Sequence, residues 1–483
     1  MFDIFSKNDS SANIAKVYFG SEVEDRDELI EIKNPFSLEV VSKYPVCSAN
    51  DAKRALKIAN SASKVAKKAP LHQRIKWLED VASKLREQSD SFAKVIVDEV
   101  AKPLSFAQIE VARCAETIEL TAKELINLNG ETIATDAMPS GRDALAYYKR
   151  VPVGVASCIT PFNFPLNLIA HKIAPALGAG NAVVLKPTPE APMCAYMLAK
   201  LFIESEYAIK DALSVVYGDA EVGSELVSNP ISRVISFTGS AQVGRIIMAN
   251  AGIKKVALEL GGNAATFIDE SANIADAAKK CAFGSFYNSG QVCISLQRIY
   301  VHEKIYNEFA NALAKEAKEL KVGSPYEEDT FMGPLINEDA KLRAKRWVAS
   351  AIDEGANVLY GGEEKDGIFP PTVMVDVTDD MQIICEEVFA PIVSLVKVAS
   401  YDEAVEKINN SPYGLQYSIF TNSLKNTKSF IDDADAGGVV VNDIPTVRFD
   451  IQPYGGIKQS GIGKEGPKWA LEEFTEIKSV VIL

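Results

Sequence analysis

From Val151 onward the chain alternates short β-branched runs with helix-length amphipathic stretches, and this alternation leaves few architectures open. The β-type runs are VPVGVASCI, NAVVLK, LSVVYG, RVISFTG and KKVALEL, with LIAHKIAPALGAG, PMCAYMLAKLFIE and SAQVGRIIMANAG as helical stretches between them. Each such stretch has the length of a single crossover, so the strands it joins should lie parallel in one sheet. A second series begins near Ala264, with strand ATFID, helix NIADAAKKCAFGSFYNSG, strand RIYVH and helix KIYNEFANALAKEAKEL. The predicted fold class is therefore α/β, with two lobes. Upstream, from about Asp51 to Leu128, apolar residues recur at three and four spacing among Lys/Glu pairs, the pattern of packed helices with one solvated face.

Two lobes also suit the length, since 483 residues exceed what one core usually organises. No repeat or low-complexity linker separates the lobes, so they should share an interface rather than move on a tether. The final run IKSVVIL is apolar and β-type, and an unpaired strand there would invite aggregation. Pairing with another subunit would remove that hazard. The formal charge, 51 − 65 = −14, carries no basic block, which argues against nucleic acid or an anionic membrane as partner. An anionic substrate would have to be held by local arginines. With neither a signal-like N-terminus nor an apolar run of membrane-spanning length, the expected location is cytoplasmic. Seven cysteines without CxxC spacing and three histidines without a motif (His72, His171, His302) point to no disulfide framework, no metal site and no histidine triad.

Four segments can carry chemistry. FTGSAQVG, Phe237 to Gly244, sets glycines and Ser240 at a strand-to-helix junction able to receive a phosphate. Taken alone, it is better explained as Ser240 capping the helix with Gly239 in the turn. YNSGQVCIS places Cys293 just past a helix ending at Ser289-Gly290, in a loop facing the lobe interface. A thiol there can be a nucleophile, although a cysteine between Val292 and Ile294 is more often a small buried hydrophobe. VALELGGN ends a strand with Glu259 beside two glycines, at the carboxyl end where open α/β sheets bind ligands. Its carboxylate is either a general base or half of an ordinary ion pair. ITPFNFPLN holds Asn163 between aromatic residues and prolines, as an oxyanion donor or a turn asparagine bonding its own backbone.

Together with AGNAVVLKPT, EEVFAPI, SPYGL and PYGGIKQSGIGKEG, these segments run in an order and spacing that resemble the aldehyde dehydrogenase superfamily, from about Asn34 to the C-terminus. The spacing includes the 34 residues from Glu259 to Cys293. The resemblance implies two Rossmann-type α/β lobes and a small β oligomerisation arm. It divides the chain into a cofactor-binding part (1–117 and 137–257), a catalytic part (258–448) and a bridging element (118–136 and 449–483), in a homodimer or homotetramer. Cys293 becomes the nucleophile, Glu259 the base for a hydrolytic water, and Asn163 with the Cys293 N–H the oxyanion hole. Lys186, Thr188 and Pro189 would meet the adenosine ribose, Gly239, Ser240 and Gly244 the pyrophosphate, and Glu387 the nicotinamide ribose. Phe389, Thr160 and Phe162 would complete the cofactor site. The reaction implied is oxidation of a small-molecule aldehyde by NAD or NADP through a thioester, cleaved by water. Relatives that pass the acyl group to coenzyme A typically lack the glutamate matched by Glu259, and some members bind without turnover; the intact set Cys293, Glu259 and Asn163 speaks against both.

Two features bear on specificity. Many NAD-preferring members carry a glutamate three residues after the ribose lysine, where Pro189 stands with Glu190 next to it. Without that carboxylate, NADP should be accepted. The stretch VVVNDIPTVRFDIQPYGG resembles the branch acting on small hydroxylated or anionic aldehydes, which includes lactaldehyde, succinate semialdehyde and non-phosphorylating glyceraldehyde-3-phosphate enzymes. There Arg448, and Arg113 of EVAR, would face the substrate's polar end, unless each is a structural ion pair. Lactaldehyde is the first expectation.

Overall fold

The computed structural model describes residues 13–483. Every β-type run expected between Val151 and His302 forms a strand, and each joining stretch is a helix. Five parallel strands form the heart of an eight-stranded sheet, in the spatial order Leu213–Val215, Ala182–Lys186, Val155–Ile159, Val234–Thr238 and Lys255–Glu259. A seven-stranded sheet holds Ala264–Ile268 between Leu296–His302, its central strand, and Gln416–Phe420, all parallel. The chain passes between the sheets through Leu260 to Asn263, leaving the first at a carboxyl end and entering the second at an amino end. That crossing brings the two ends together.

The upstream helical pattern resolves into Ala49–Ala66, Leu71–Glu87, Ser89–Val100 and Leu104–Glu124. The first starts at a capping box between Ser48 and Asp51, and its buried face is almost all alanine (Ala52, Ala55, Ala59, Ala62, Ala66), which lets it lie close against the sheet. Leu71–Glu87 buries Trp77, whose indole N–H donates to the Phe202 carbonyl at 2.8 Å. The first of these helices lies on the first sheet, the other three pack on it through the crossover helices Asn167–Gly178 and Pro192–Ile203, and all share its apolar core.

Three expectations need correction. The helix before Cys293 ends at Phe286, not Ser289-Gly290, because Asn288, Ser289 and Gly290 all take left-handed backbone. The C-terminal strand Thr475–Ile482 does not lack a mate within the chain: on one edge it pairs antiparallel along its whole length with Leu145–Pro152, which also pairs with Thr132–Ile133. Pairing within the chain satisfies one edge, and Ile477, Val481 and Leu483 remain exposed. The expected boundaries also cut across elements. Leu104–Glu124 runs unbroken through residue 117, Leu145–Pro152 belongs to the arm sheet, and Gly461–Ile462 adds a strand to the first sheet. No helix among the described residues is long and apolar enough to cross a membrane.

Candidate active site

Strand order in the first sheet reverses between Val155–Ile159 and Val234–Thr238, so their carboxyl ends splay apart and open a crevice. A cavity of about 430 Å³ lies there, walled by Thr160, Lys186, Thr188 and Pro189. It is followed by one of about 270 Å³ walled by Phe162, Gly239, Ser240, Arg343, Glu387 and Phe389. Ser240 does cap the helix Ala241–Ala251, accepting from Val243 N–H at 3.3 Å, and it also faces the cavity, so the two readings of FTGS are compatible. A side chain at Gly239 would strike the Phe237 ring. Gly244 is the exception among the expected cofactor residues. It lies off both cavity walls, and a Cβ there would come within 2.6 Å of Leu260, so its role is close packing of helix on strand.

The crevice fits a dinucleotide. The hydroxyls of Thr160 and Thr238 are buried on its walls without a protein partner, a helix N-terminus faces it, and a carboxylate stands at its far end. That carboxylate, Glu387, accepts from Gly262 N–H at 3.0 Å, and burial pushes it up to about 7 against the pull of that bond and of Arg343. Burial lowers the Lys186 ammonium, opposed by Glu190 and Asp219 nearby. Thr188 donates to Glu190, so the carboxylate one place beyond Pro189 still lies beside the lysine.

Cys293 stands on the wall of the second cavity and also on that of a smaller one, about 60 Å³, lined by Arg113, Asn167, Thr446, Arg448 and Tyr454. The thiol is the junction between them. The left-handed run Asn288–Gly290 turns the chain sharply before it; any side chain at Gly290 would collide with the Ala390 carbonyl, and Ser289 donates to the Gly333 carbonyl at 2.8 Å. The two glycines of LELGGN are explained the same way, since a Cβ at Gly261 would fall on Glu387 and one at Gly262 on the Cys293 carbonyl. Burial pushes the Cys293 thiol up to about 12, with the Tyr454 hydroxyl at 2.9 Å and the Arg448 charge pulling it down.

Asn163 shares the cavity wall with Cys293. Its amide donates one N–H to the Gln291 carbonyl at 3.0 Å, which ties it to the cysteine loop and leaves its second N–H available. The Asn163 backbone carbonyl accepts from the Lys102 ammonium at 2.7 Å. Lys102 is fully buried, ion-paired with Glu110 and 3.9 Å from the centre of the Phe164 ring, while Glu110 accepts from the N–H groups of Leu166 and Asn167. Lys102 and Glu110 therefore clamp the Asn163 loop. Lys102→Met would leave Glu110 buried and unpaired, and is expected to destabilise the fold by about 3–5 kcal/mol, read by denaturant unfolding.

Glu259 is buried at the strand end and does not line the cavities at Cys293. It opens on a small separate one with His171, Lys172, Lys464 and Glu465. One of its oxygens has no partner, and the other lies so close to Gly455 that a Cβ there would come within 2.6 Å. Burial and the neighbouring Glu465 push its carboxyl well above the usual range, against Arg448, Lys172 and Lys464. Arg113 binds Asp450 through two hydrogen bonds of 2.9 and 2.8 Å, and His171 meets the same carboxylate at 3.0 Å. Arg448 pairs with Glu465 at 3.0 Å, as does Lys172 at 3.1 Å. Each arginine is ion-paired, and each also lines the small cavity beyond Cys293. Sequence reasoning assigned no role to Arg343 or Tyr454. Tyr454 lies inside the quoted PYGG motif, whereas nothing near Arg343 in sequence marks it.

The aldehyde dehydrogenase family model matches residues 22–480. The chain is 39% identical to a 3-sulfolactaldehyde dehydrogenase of Priestia aryabhattai over 467 residues, 96% of this chain and 97% of that protein. It is 39% identical to a lactaldehyde dehydrogenase of Methanococcus aeolicus over 457 residues, 94% of this chain and 97% of that one. The crystal structure of the Methanocaldococcus jannaschii glyceraldehyde-3-phosphate dehydrogenase complexed with NADP superposes at a TM-score of 0.91 with 38% identity, covering 95% of this chain and all of that one. A dinucleotide crevice, a cysteine at its inner end and homology over nearly the full length agree: the chain belongs to the aldehyde dehydrogenase family and is an NAD(P)-dependent oxidoreductase acting on aldehydes.

Proposed function

We propose that this enzyme oxidises a small hydroxylated aldehyde of the lactaldehyde type, favouring one with an anionic tail, to its acid through a thioester on Cys293. The carrying observation is the wall of the small cavity beyond Cys293, where Arg113 and Arg448 both stand. Their network holds three cations (Arg113, Arg448, Lys172) against two carboxylates (Asp450, Glu465), a balance of +1. Burial and the Arg448 charge push the His171 imidazole down, so it adds none. Arg448 also keeps a buried Nε–H without a hydrogen-bond partner. One substrate anion would neutralise the set. The curated relatives include a dehydrogenase of a sulfonated lactaldehyde and one of lactaldehyde itself, which fits a shared hydroxyaldehyde with or without the anion.

In this reading the Cys293 thiolate adds to the aldehyde carbon, and the oxyanion meets the free N–H of Asn163 and the Cys293 amide. Bound NAD(P) supplies the hydride acceptor. Glu259, turned from its buried cavity toward the thioester, takes a proton from the water that cleaves it. Lys186 and Thr188 hold the adenosine ribose and Ser240 the pyrophosphate, with Glu387 and Arg343 at the second ribose. Residues before Glu259 serve mainly the cofactor, those after it mainly the chemistry, and the arm sheet mainly association. The exposed outer face of Thr475–Ile482 supports a homodimer or homotetramer, and seven free cysteines suit a cytoplasmic location.

Comparing kcat/KM for sulfolactaldehyde, lactaldehyde, succinate semialdehyde and propanal tests the substrate class. Arg113→Met is expected to lower the value for an anionic aldehyde by about tenfold to hundredfold and to change propanal little. A wild-type enzyme preferring propanal to every hydroxylated or anionic aldehyde overturns the reading. For the cofactor, Lys186 and Thr188 favour the 2′-phosphate of NADP, while Glu190 and Asp219 oppose it. The expected kcat/KM ratio of NAD to NADP lies within about tenfold of unity, and Glu190→Gln shifts it several-fold toward NADP. A ratio above tenfold for NAD that Glu190→Gln leaves in place would refute this account of Pro189.

A further inference from the structure

A half-buried cysteine in apolar surroundings needs something to favour its ionised form, and apart from the pull of the Arg448 charge the usual sources are missing around Cys293. No helix begins at its turn, which leads directly into the strand Leu296–His302. The surrounding side chains Phe164, Leu168, Val292 and Ile294 are apolar. His171 and Arg448, the nearest candidates for a cationic partner, are engaged with Asp450 and Glu465. What does touch the sulfur is the hydroxyl of Tyr454, 2.9 Å away, and among the described residues that hydroxyl has no other hydrogen-bond partner.

We propose that Tyr454 is a catalytic residue of this enzyme, the donor that holds the Cys293 sulfur as a thiolate. The inference rests on the reading of Cys293 as the nucleophile. Three features fit Tyr454 to the task. Its backbone is pinned by an antiparallel bridge to Glu465, with N–H to carbonyl distances of 3.1 and 2.7 Å, which fixes the point from which the ring reaches the thiol. The Arg448 guanidinium lies 3.7 Å over the ring centre, and a positive charge on that face draws electron density from the phenol and sharpens its O–H as a donor. Burial keeps the phenol protonated, so it acts as a donor and not as a base.

The steps balance. The thiol loses its proton to water, the Tyr454 proton stays on its own oxygen, and the O–H···S bond strengthens as the sulfur becomes anionic. The sulfur lone pair then forms the S–C bond while the carbonyl π pair moves to oxygen. A carbon-bound sulfur is a weak acceptor, so the bond is largely given up in the thioester. It reforms when water attacks, the C–S bond breaks and its electron pair returns to sulfur. One donor thus assists both arrival and departure of the thiolate.

The test needs no substrate. Iodoacetamide alkylation of the free enzyme is followed across pH and read at the Cys293 peptide by mass, which keeps the exposed Cys385 out of the signal. Tyr454→Phe keeps the ring under Arg448 and removes only the hydroxyl. Its alkylation midpoint is expected about one pH unit higher than wild type, with a rate about tenfold lower below the midpoint and convergence at high pH. A purely structural role would scale the rate equally at all pH values; that result, superimposable profiles or faster alkylation of the variant each overturns the proposal. If Cys293→Ala retains turnover, the nucleophile reading fails separately. If Cys293→Ala is inactive while the profiles coincide, only the role of Tyr454 falls.

Discussion

Cys293→Ala is expected to abolish aldehyde oxidation with either cofactor, a loss of about ten-thousandfold or more, because no other thiol can replace it. Cys158 and Cys281 are buried in the cores of the two sheets and Cys385 is exposed on a short helix away from both cavities. Removing one sulfur from a partly exposed position should leave the crevice intact, so cofactor binding, read by fluorescence titration, should be unchanged. Loss of binding together with turnover would mean that the substitution had disturbed the turn, and a variant with residual activity near wild type would remove the thioester from the reaction altogether.

Glu259→Gln should separate the two halves of the cycle. Acylation does not need the base, so the variant is expected to release about one equivalent of reduced cofactor per site and then stall, with steady-state kcat lowered by roughly a hundredfold to ten-thousandfold. Rapid mixing with excess aldehyde reads the burst directly. The sign of the pH dependence follows from the site. A general base works when ionised, and burial with Glu465 nearby raises the proton affinity of Glu259, so kcat should climb with pH through that raised value. A wild-type profile flat across the neutral range, or a Gln variant without a burst, would show that water is activated elsewhere.

The local elements were readable because their physics is local. Alternating β-branched and amphipathic runs mark each strand and helix of both sheets, and the glycine-rich junctions mark where backbone must approach closely. Contacts formed by distant residues were not. Tyr454 lies 161 positions from the thiol it touches, and its neighbours in sequence give no sign of that meeting. Arg113 reaches Asp450 across 337 positions. The helix end before Cys293 was misplaced because Asn288 and Ser289 have side chains and yet adopt backbone that glycine usually supplies, a strain the surrounding structure imposes. The partner of the terminal strand was missed for a related reason: Leu145–Pro152 has mixed polarity and follows a long irregular stretch, so nothing in it announced a mate 330 residues on.

The crossing at Leu260–Asn263 has a consequence for how the site is completed. Asn163 sits in the loop that leaves one sheet and Cys293 in the loop that enters the other, and the hydrogen bond from the Asn163 amide to the Gln291 carbonyl closes only when both have met. Neither half carries the reaction in itself. Catalytic competence is thus a property of the seam, which has to close after each sheet has formed its own strands, so intact helices and strands do not by themselves report an intact site.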